Sequence, residues 1–232
     1  MTELQHFDRR FVAERLPRDI RNLLKIYAGQ LYVGGGFIRA VIGREEVNDI
    51  DLFGADPEAI ANIAGALQAL RPGSKQHISQ NAITLLTPDR LPVQFITRWT
   101  FRDADALIKS FDFTVCQAVL WRRSNGTWVT RIGDRFYIDL AGKRLFYTSP
   151  VRAEDVGGSL LRVLKYVRRG YSIQVDSLGR VIARLASRVR GEPDEAKASL
   201  VFSGLLREVD PLLVIDGLEV VDDHISEEAQ NA

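Results

Sequence analysis

Two aspartates one residue apart, Asp49 and Asp51, close the stretch GGFIRAVIGREEVNDIDLF, which runs from Gly35 to Phe53. On a strand, positions i and i+2 point to the same side, so this pair presents hard oxygen ligands to one point in space. Upstream, Gly35 and Gly36 follow an apolar run, where glycine lets backbone N–H groups approach a phosphate closely. Arg39 follows at the start of a short helix and adds a cation for the same charge. Together these residues describe a site for a polyphosphate and its metal. Gly34, Gly35 and Gly36 also bear a superficial likeness to a dinucleotide fingerprint. Arg39 stands where the third glycine would be, and no parallel βαβ run with a closing acid follows, so that reading is set aside.

The elements that must position these residues are short and mixed. Residues 8–28 carry Phe11, Leu16, Ile20, Leu23, Leu24 and Ile26 at roughly helical spacing, with Pro17 as a helix start, and are expected to cover a sheet. LYV (31–33) and DIDLF (49–53) read as strands around a brief helix, and Pro57 opens a further helix that RPGS (71–74) closes. AITLL (82–86) and PVQFI (92–96) read as the next strands, followed by a helix near 103–109. FTVCQAVLWRR and TWVTRI flank Ser124-Asn125-Gly126, a strong hairpin signal. From about residue 153 the apolar period turns helical, with Leu160, Leu161, Val163, Leu164 and Val167 in the first segment, then 176–190 and 193–208. The expectation is an α/β (α+β) fold: a mixed-sheet catalytic head at 1–150, a short helical neck-like domain at 151–220 and a disordered acidic tail at 221–232.

Composition narrows the setting more than the function. The chain has 232 residues, enough for a sizeable core, and its 31 Lys and Arg nearly cancel its 30 Asp and Glu, so any basic surface must be local. The single cysteine, Cys116, excludes an internal disulfide and, with few scattered histidines, a zinc site; it is expected to be a small buried apolar residue in a reducing compartment. The charged start MTELQHFDRRFVAERL lacks a signal-peptide core, and no run nears the roughly 18 apolar residues of a membrane span. A cytoplasmic location without membrane contact is expected, and the oligomeric state is left open.

The opening stretch resembles the signature of the polymerase-β-type nucleotidyltransferases, most closely the head and neck of class II CCA-adding enzymes and bacterial poly(A) polymerases. Gly35, Gly36, Arg39, Gly43, Arg44, Asp49 and Asp51 carry the likeness, in the family's order and at similar spacing. FDFTVCQAVLW (111–121) is similar to the family's Arg-Asp-Phe-Thr-Ile-Asn-Ala-Leu segment near the nucleotide ribose; Asp112, Phe113 and Thr114 match, while Phe111 and Cys116 replace its arginine and asparagine. YIDLAGKRLF (137–146) and RVLKYVRRGYSI (162–173) are similar to a further conserved stretch and to the neck helix, so the resemblance covers about residues 30–175. It implies a two-ion Mg²⁺ site on Asp49 and Asp51, phosphates placed by Gly35, Gly36 and Arg39, and nucleotide contacts from Asp112, Thr114 and Arg162. The implied reaction passes NMP from an NTP, ATP or CTP, to an acceptor hydroxyl, with a tRNA-like RNA 3′ end as acceptor.

The departures matter as much. Of the base-reading Glu-Asp-x-x-Arg, Glu154 and Asp155 are present, but Arg162 stands too far along. The body and tail domains that hold tRNA are expected to be missing after the neck. The strand that would carry a third carboxylate places Gln94 there, and an amide is a poor base and a weak metal ligand. Alternatives are therefore nucleotidylation of a protein or small molecule, or a non-catalytic nucleotide- or RNA-binding descendant. Trp99, Trp121 and Trp128 are expected in the core. Arg162, Lys165 and Arg169 should share one face of the neck helix, open to RNA phosphates together with Arg168, while Leu161, Leu164 and Val167 or Tyr171 turn to the head.

Overall fold

The computed structural model describes residues 1–150, 156–189 and 194–207; the tail at 221–232 and the Glu154–Asp155 pair lie outside the described residues. The chain opens with α1 (His6–Arg15) and α2 (Arg18–Ile26), parted by an extended Leu16, with Pro17 at the N-cap of α2. Ile20, Leu23 and Leu24 bury as an i, i+3, i+4 stripe, whereas Phe11 and Ile26, expected on that face, are exposed because they fall off it.

β1 (Leu31–Gly34) and β2 (Ile50–Gly54) enclose α3 (Gly36–Gly43) and pair antiparallel, which sets Gly34 opposite Asp51. α4 (Pro57–Ala69) starts where Asp56 accepts a hydrogen bond from the Glu58 N–H and Pro57 occupies the first turn. β3 (Lys75–Ile78), β4 (Ala82–Leu86) and β5 (Val93–Ile96) follow. β3 is an addition to the expected elements: KQHI is a mostly exposed edge strand, so it carries no burial pattern to read. α5 (Ala104–Ser110), capped by Asp103, leads into a 3-10 turn at Thr114–Cys116, and β6 (Ala118–Arg122) and β7 (Trp128–Ile132) form the hairpin around Gly126. The sheet runs β3-β4-β5-β2-β1-β6-β7, antiparallel except where β2 and β5 run parallel, and that pairing sets Gln94 beside Asp51.

α6 (Phe136–Ala141) and β8 (Arg144–Leu145) lead toward α7 (Val156–Arg168). β9 (Ser172–Ile173) pairs with β8, and α8 (Val175–Ala186) and α9 (Glu195–Arg207) complete the described helices. One apolar cluster contains Val33, Phe37, Leu52 and Phe113 together with Val163, Tyr166, Tyr171 and Val181, so the helical part is packed into the core of the head. A smaller cluster on the sheet's other face joins Tyr32, Phe53, Ile96, Leu107 and Val119, with Trp99, Phe111 and Trp121 against it. No described helix is long and apolar enough to cross a membrane.

Arg71 just after α4 ties the periphery together. Its guanidinium is almost wholly buried and donates to Asp19 of α2 at 2.8 Å, while Arg90 bonds the same carboxylate at 2.9 Å. Burial alone would raise the Asp19 carboxyl, but the hydrogen bond and charge of Arg71 outweigh it and hold the group below its ordinary value. A depressed carboxyl contributes stability that is full above its unfolded value of 3.8 and is lost as pH falls through the folded one. Asp19→Ala strands a buried guanidinium and is expected to cost about 3 kcal/mol in urea melts. The acid-unfolding curve of the variant should be correspondingly flatter below pH 3.8 than that of the parent.

Candidate active site

The glycine turn forms because the chain must leave β1 and enter α3 without side chains in the way. Gly35 takes φ +70°, a conformation that only glycine adopts freely, and its N–H donates to the Ala118 carbonyl at 3.1 Å. A Cβ on Gly34 would come within 2.9 Å of the Phe111 ring, and one on Gly35 within 3.1 Å of that ring and 3.8 Å of an Asp51 carboxylate oxygen. Phe111, in the place of the family's arginine, therefore seals the back of the turn with an apolar ring, packed edge-on against Phe53 at 5.9 Å.

Asp51 sits in β2 between Gly34 on one neighbour and Gln94 on the other, and Asp49 stands just before the strand. Both carboxylates, Gly35, Gly36 and Gln94 line one cleft, as the strand period and the β2–β5 pairing require. The sheet thus brings together residues 59 positions apart in sequence, from Gly35 to Gln94.

The opposite wall is α7. Arg162, Lys165, Tyr166 and Arg169 line the cleft at helical spacing, so the expected basic face exists and flanks the cleft. Leu164 and Val167, expected to turn inward, are 40% and 47% exposed, while Val163 and Tyr166 are buried in their stead. Leu161 and Tyr171 are buried as expected, so the head-facing side is met in part, with Val163 and Tyr166 completing it. Burial pushes the Lys165 ammonium below its usual value, and Arg169 and Arg39 add to the push against the pull of Asp49 and Asp51. Arg169 donates to the Asn48 side chain at 2.9 Å, next to Asp49. Arg168, expected with this group, is exposed.

Of the expected nucleotide contacts, Arg39, Asp112 and Arg162 line the cleft, where each is tied into an ion pair, and Thr114 lies outside it. Arg39 lines the cleft but is 3% exposed; it pairs with Glu45, bonds the Tyr171 hydroxyl at 3.3 Å and lies 4.9 Å over the Tyr166 ring. Its Nη1 is thereby directed into the joint between α3 and the neck, and its buried Nε has no hydrogen-bond partner among the described residues. Asp112 also lines the cleft and is buried, accepting from Arg162 at 2.7 Å and from Ser159 at 3.0 Å, so it ties α7 to the head. Thr114 is not among the cleft residues; its hydroxyl donates to Asp139 at 2.7 Å, a fully buried carboxylate that Arg135 also grips. The Cys116 thiol, raised by burial, meets the Tyr166 hydroxyl at 3.0 Å on the cleft floor. Trp121 packs on Tyr32 and Trp128 lies under Arg122, but Trp99 reaches the cleft.

Asn48, Asn81, Tyr166 and Glu45 escaped the sequence reading, and Trp99 was expected in the core. Tyr166 alone left a signal, an aromatic on the neck between Arg162 and Arg169. The others act through contacts that no local spacing announces. Among the described residues no group of three or more His, Cys, Asp or Glu side chains could hold a metal. The donors offered are Asp49 and Asp51 with the Gln94 amide oxygen, all oxygens, leaving further positions to water and phosphate. That set fits Mg²⁺, which is commonly held by one or two carboxylates and its substrate's phosphates.

Several solved structures share this architecture. The Thermotoga maritima CCA-adding enzyme complexed with tRNA_CCA matches with a TM-score of 0.57 at 18% identity, over 88% of this chain and 51% of that one. A CCA-adding enzyme in complex with CTP matches with a TM-score of 0.55 at 17% identity, over 91% of this chain and 52% of that one. At such identities the likeness shows the polymerase-β-type nucleotidyltransferase fold. In sequence, the Gabija anti-defense 2 protein of Bacillus phage SPbetaL7 is 27% identical over 153 residues, 65% of this chain and 36% of the relative. The chain thus spans about half the length of those structures and about a third of the phage protein. The Gabija anti-defense 2 family matches over residues 5–143, more than half of the sequence. By that match the chain belongs to the Gabija anti-defense 2 family, and its fold is that of the head of the CCA-adding enzymes.

Proposed function

We propose that this protein is a Mg²⁺-dependent nucleotidyltransferase that takes NMP from an NTP, passes it to an acceptor hydroxyl and releases pyrophosphate. The observation that carries the reading is the meeting of Asp49 and Asp51 with the positive-φ glycine turn and Lys165 in one cleft. The backbone at Gly35 and Gly36 leaves room for phosphate oxygens at the start of α3, where N–H groups and the helix dipole favour an anion. Lys165 and Arg169 supply positive charge on the facing wall, and Asp49 and Asp51 hold the cation. Mg²⁺, when bound, neutralises phosphate charge as it develops during transfer. Gln94 stands where it can orient an acceptor by hydrogen bonding. CTP and ATP complexes of the related solved structures support an NTP as donor, and family membership supports a role for the transfer in countering Gabija defence.

The amide of Gln94 beside Asp51 also favours a second reading, a protein that binds nucleotide without turning it over. Pyrophosphate release measured with each NTP and Mg²⁺, alongside equilibrium NTP binding, separates the two: binding without release would establish the second.

Asp49→Ala and Asp51→Ala are each expected to lower Mg²⁺-dependent pyrophosphate release by about a thousandfold, the loss of several kcal/mol of charge stabilisation, with the melting temperature nearly unchanged. Full activity in both variants would refute the assignment.

Gly35→Ala is expected to destabilise the fold by about 1–3 kcal/mol and to raise the KM for NTP, because the φ of the turn is closed to alanine. Adding Phe111→Leu should relieve the ring contact but not the defect, since the backbone strain persists. Recovery of wild-type KM in the double variant would show that crowding, and not conformation, sets the requirement for glycine.

A further inference from the structure

We infer that the wall of the cleft opposite the neck is the acceptor subsite and that it takes a phenolic hydroxyl, the side chain of a tyrosine on a partner protein. This rests on the nucleotidyltransferase reading above. The two walls differ in chemistry. The neck side presents Arg162, Lys165 and Arg169, whereas the side built by β2, β4, β5 and the segments beside them presents Phe53, Ala82, Ile96, Trp99 and Phe111, with the uncharged amides of Asn81 and Gln94. No lysine or arginine from β4, β5 or the segment carrying Trp99 lines the cleft; the nearby Arg98 is turned to Asn81 at 2.7 Å and over the Trp99 ring.

An RNA 3′ end brings a phosphate with each nucleotide and is held by cations along its path. A planar apolar side chain is held by aromatic and aliphatic surface, in edge-on or offset contact. The second description fits this wall. Gln94 stands at its inner end, in register with Asp51, so an acceptor oxygen that it orients lies next to the carboxylates.

The chemistry at Gln94 selects among hydroxyls. An amide can donate and accept hydrogen bonds but cannot remove a proton at neutral pH. Sugar, serine and threonine hydroxyls are weak acids and gain most from a base, while a tyrosine hydroxyl ionises near a pKa of about 10 and needs one least. In the step, the phenol releases its proton to solvent water and its oxygen forms a bond to the α-phosphorus. The bond from that phosphorus to the bridging oxygen of the β-phosphate breaks, and pyrophosphate leaves with the electron pair. The product is a tyrosine O-linked to a nucleoside monophosphate, with no oxidation or reduction.

The test offers the full chain, with Mg²⁺ and each α-labelled NTP, three acceptors: N-acetyl-tyrosinamide, a peptide containing serine and threonine but no tyrosine, and an RNA oligonucleotide with a free 3′-hydroxyl. Label should enter tyrosinamide fastest, with a mass gain of one nucleotidyl group. Trp99→Ala should raise the KM for tyrosinamide about tenfold, the worth of one aromatic contact, while the KM for NTP stays unchanged. Trp99→Phe should restore the acceptor KM, which separates a lost contact from a damaged fold. Gln94→Glu should narrow the preference by admitting alkyl and sugar hydroxyls. Label entering RNA, or the serine and threonine peptide, as fast as tyrosinamide would overturn the phenolic acceptor and leave nucleotidyl transfer standing. Neither label nor pyrophosphate with any acceptor would overturn both.

Discussion

The buried guanidinium of Arg39 is the constraint on which the cleft depends. It reaches from α3, immediately after the glycine turn, to Glu45 and to the two neck tyrosines, Tyr166 and Tyr171. Burial opposes its charge, but the surrounding tyrosines and Cys116 hold it above its ordinary range, so it stays a cation. Tyr171 in turn donates to Glu45 at 2.7 Å, and burial pushes its hydroxyl up to about 12. A charge enclosed in this way is costly to expose or strand, which makes the head-to-neck joint stiff. The separation between the carboxylate wall and the basic wall follows from that joint.

Within the cleft, charge is arranged by pairing. Asp112 is matched to Arg162 and Ser159, and Arg39 to Glu45, while Asp49 and Asp51 line the same cleft as Lys165. The Asp112 contacts tie α7 to the head. Substitution of Phe111 and Gln94 for charged residues of the family pattern removes a cation from the turn and an acid from the neighbouring strand.

Much of this was legible in short-range pattern. The Asn-Gly hairpin, the Pro57 helix start and AITLL lie where turn chemistry and alternation put them, since each signal is local. β3 was not legible, because an exposed edge strand has no apolar face to reveal it. The phase of α7 was legible only in part for a related reason: Leu161 is buried as expected, but Leu164 and Val167 are apolar yet exposed, and Val163 and Tyr166 are buried. Hydropathy cannot assign such a face when both sides of a helix carry apolar residues.

By itself the sequence determined the Asp-x-Asp pair, the glycine turn ahead of it and the strand on which Gln94 stands, because these depend on residue type and on a period of two along a strand. Tertiary structure decided which of the polar residues face the cleft. Arg39 and Asp112 line the cleft but are tied into ion pairs, Thr114 is held outside it by Asp139, and Lys165 and Trp99 are turned into it. The physical reason is that a buried charge or hydroxyl must find a partner, and the partner is supplied by whichever element packs against it. That choice is made between residues far apart in the chain, where spacing carries no information.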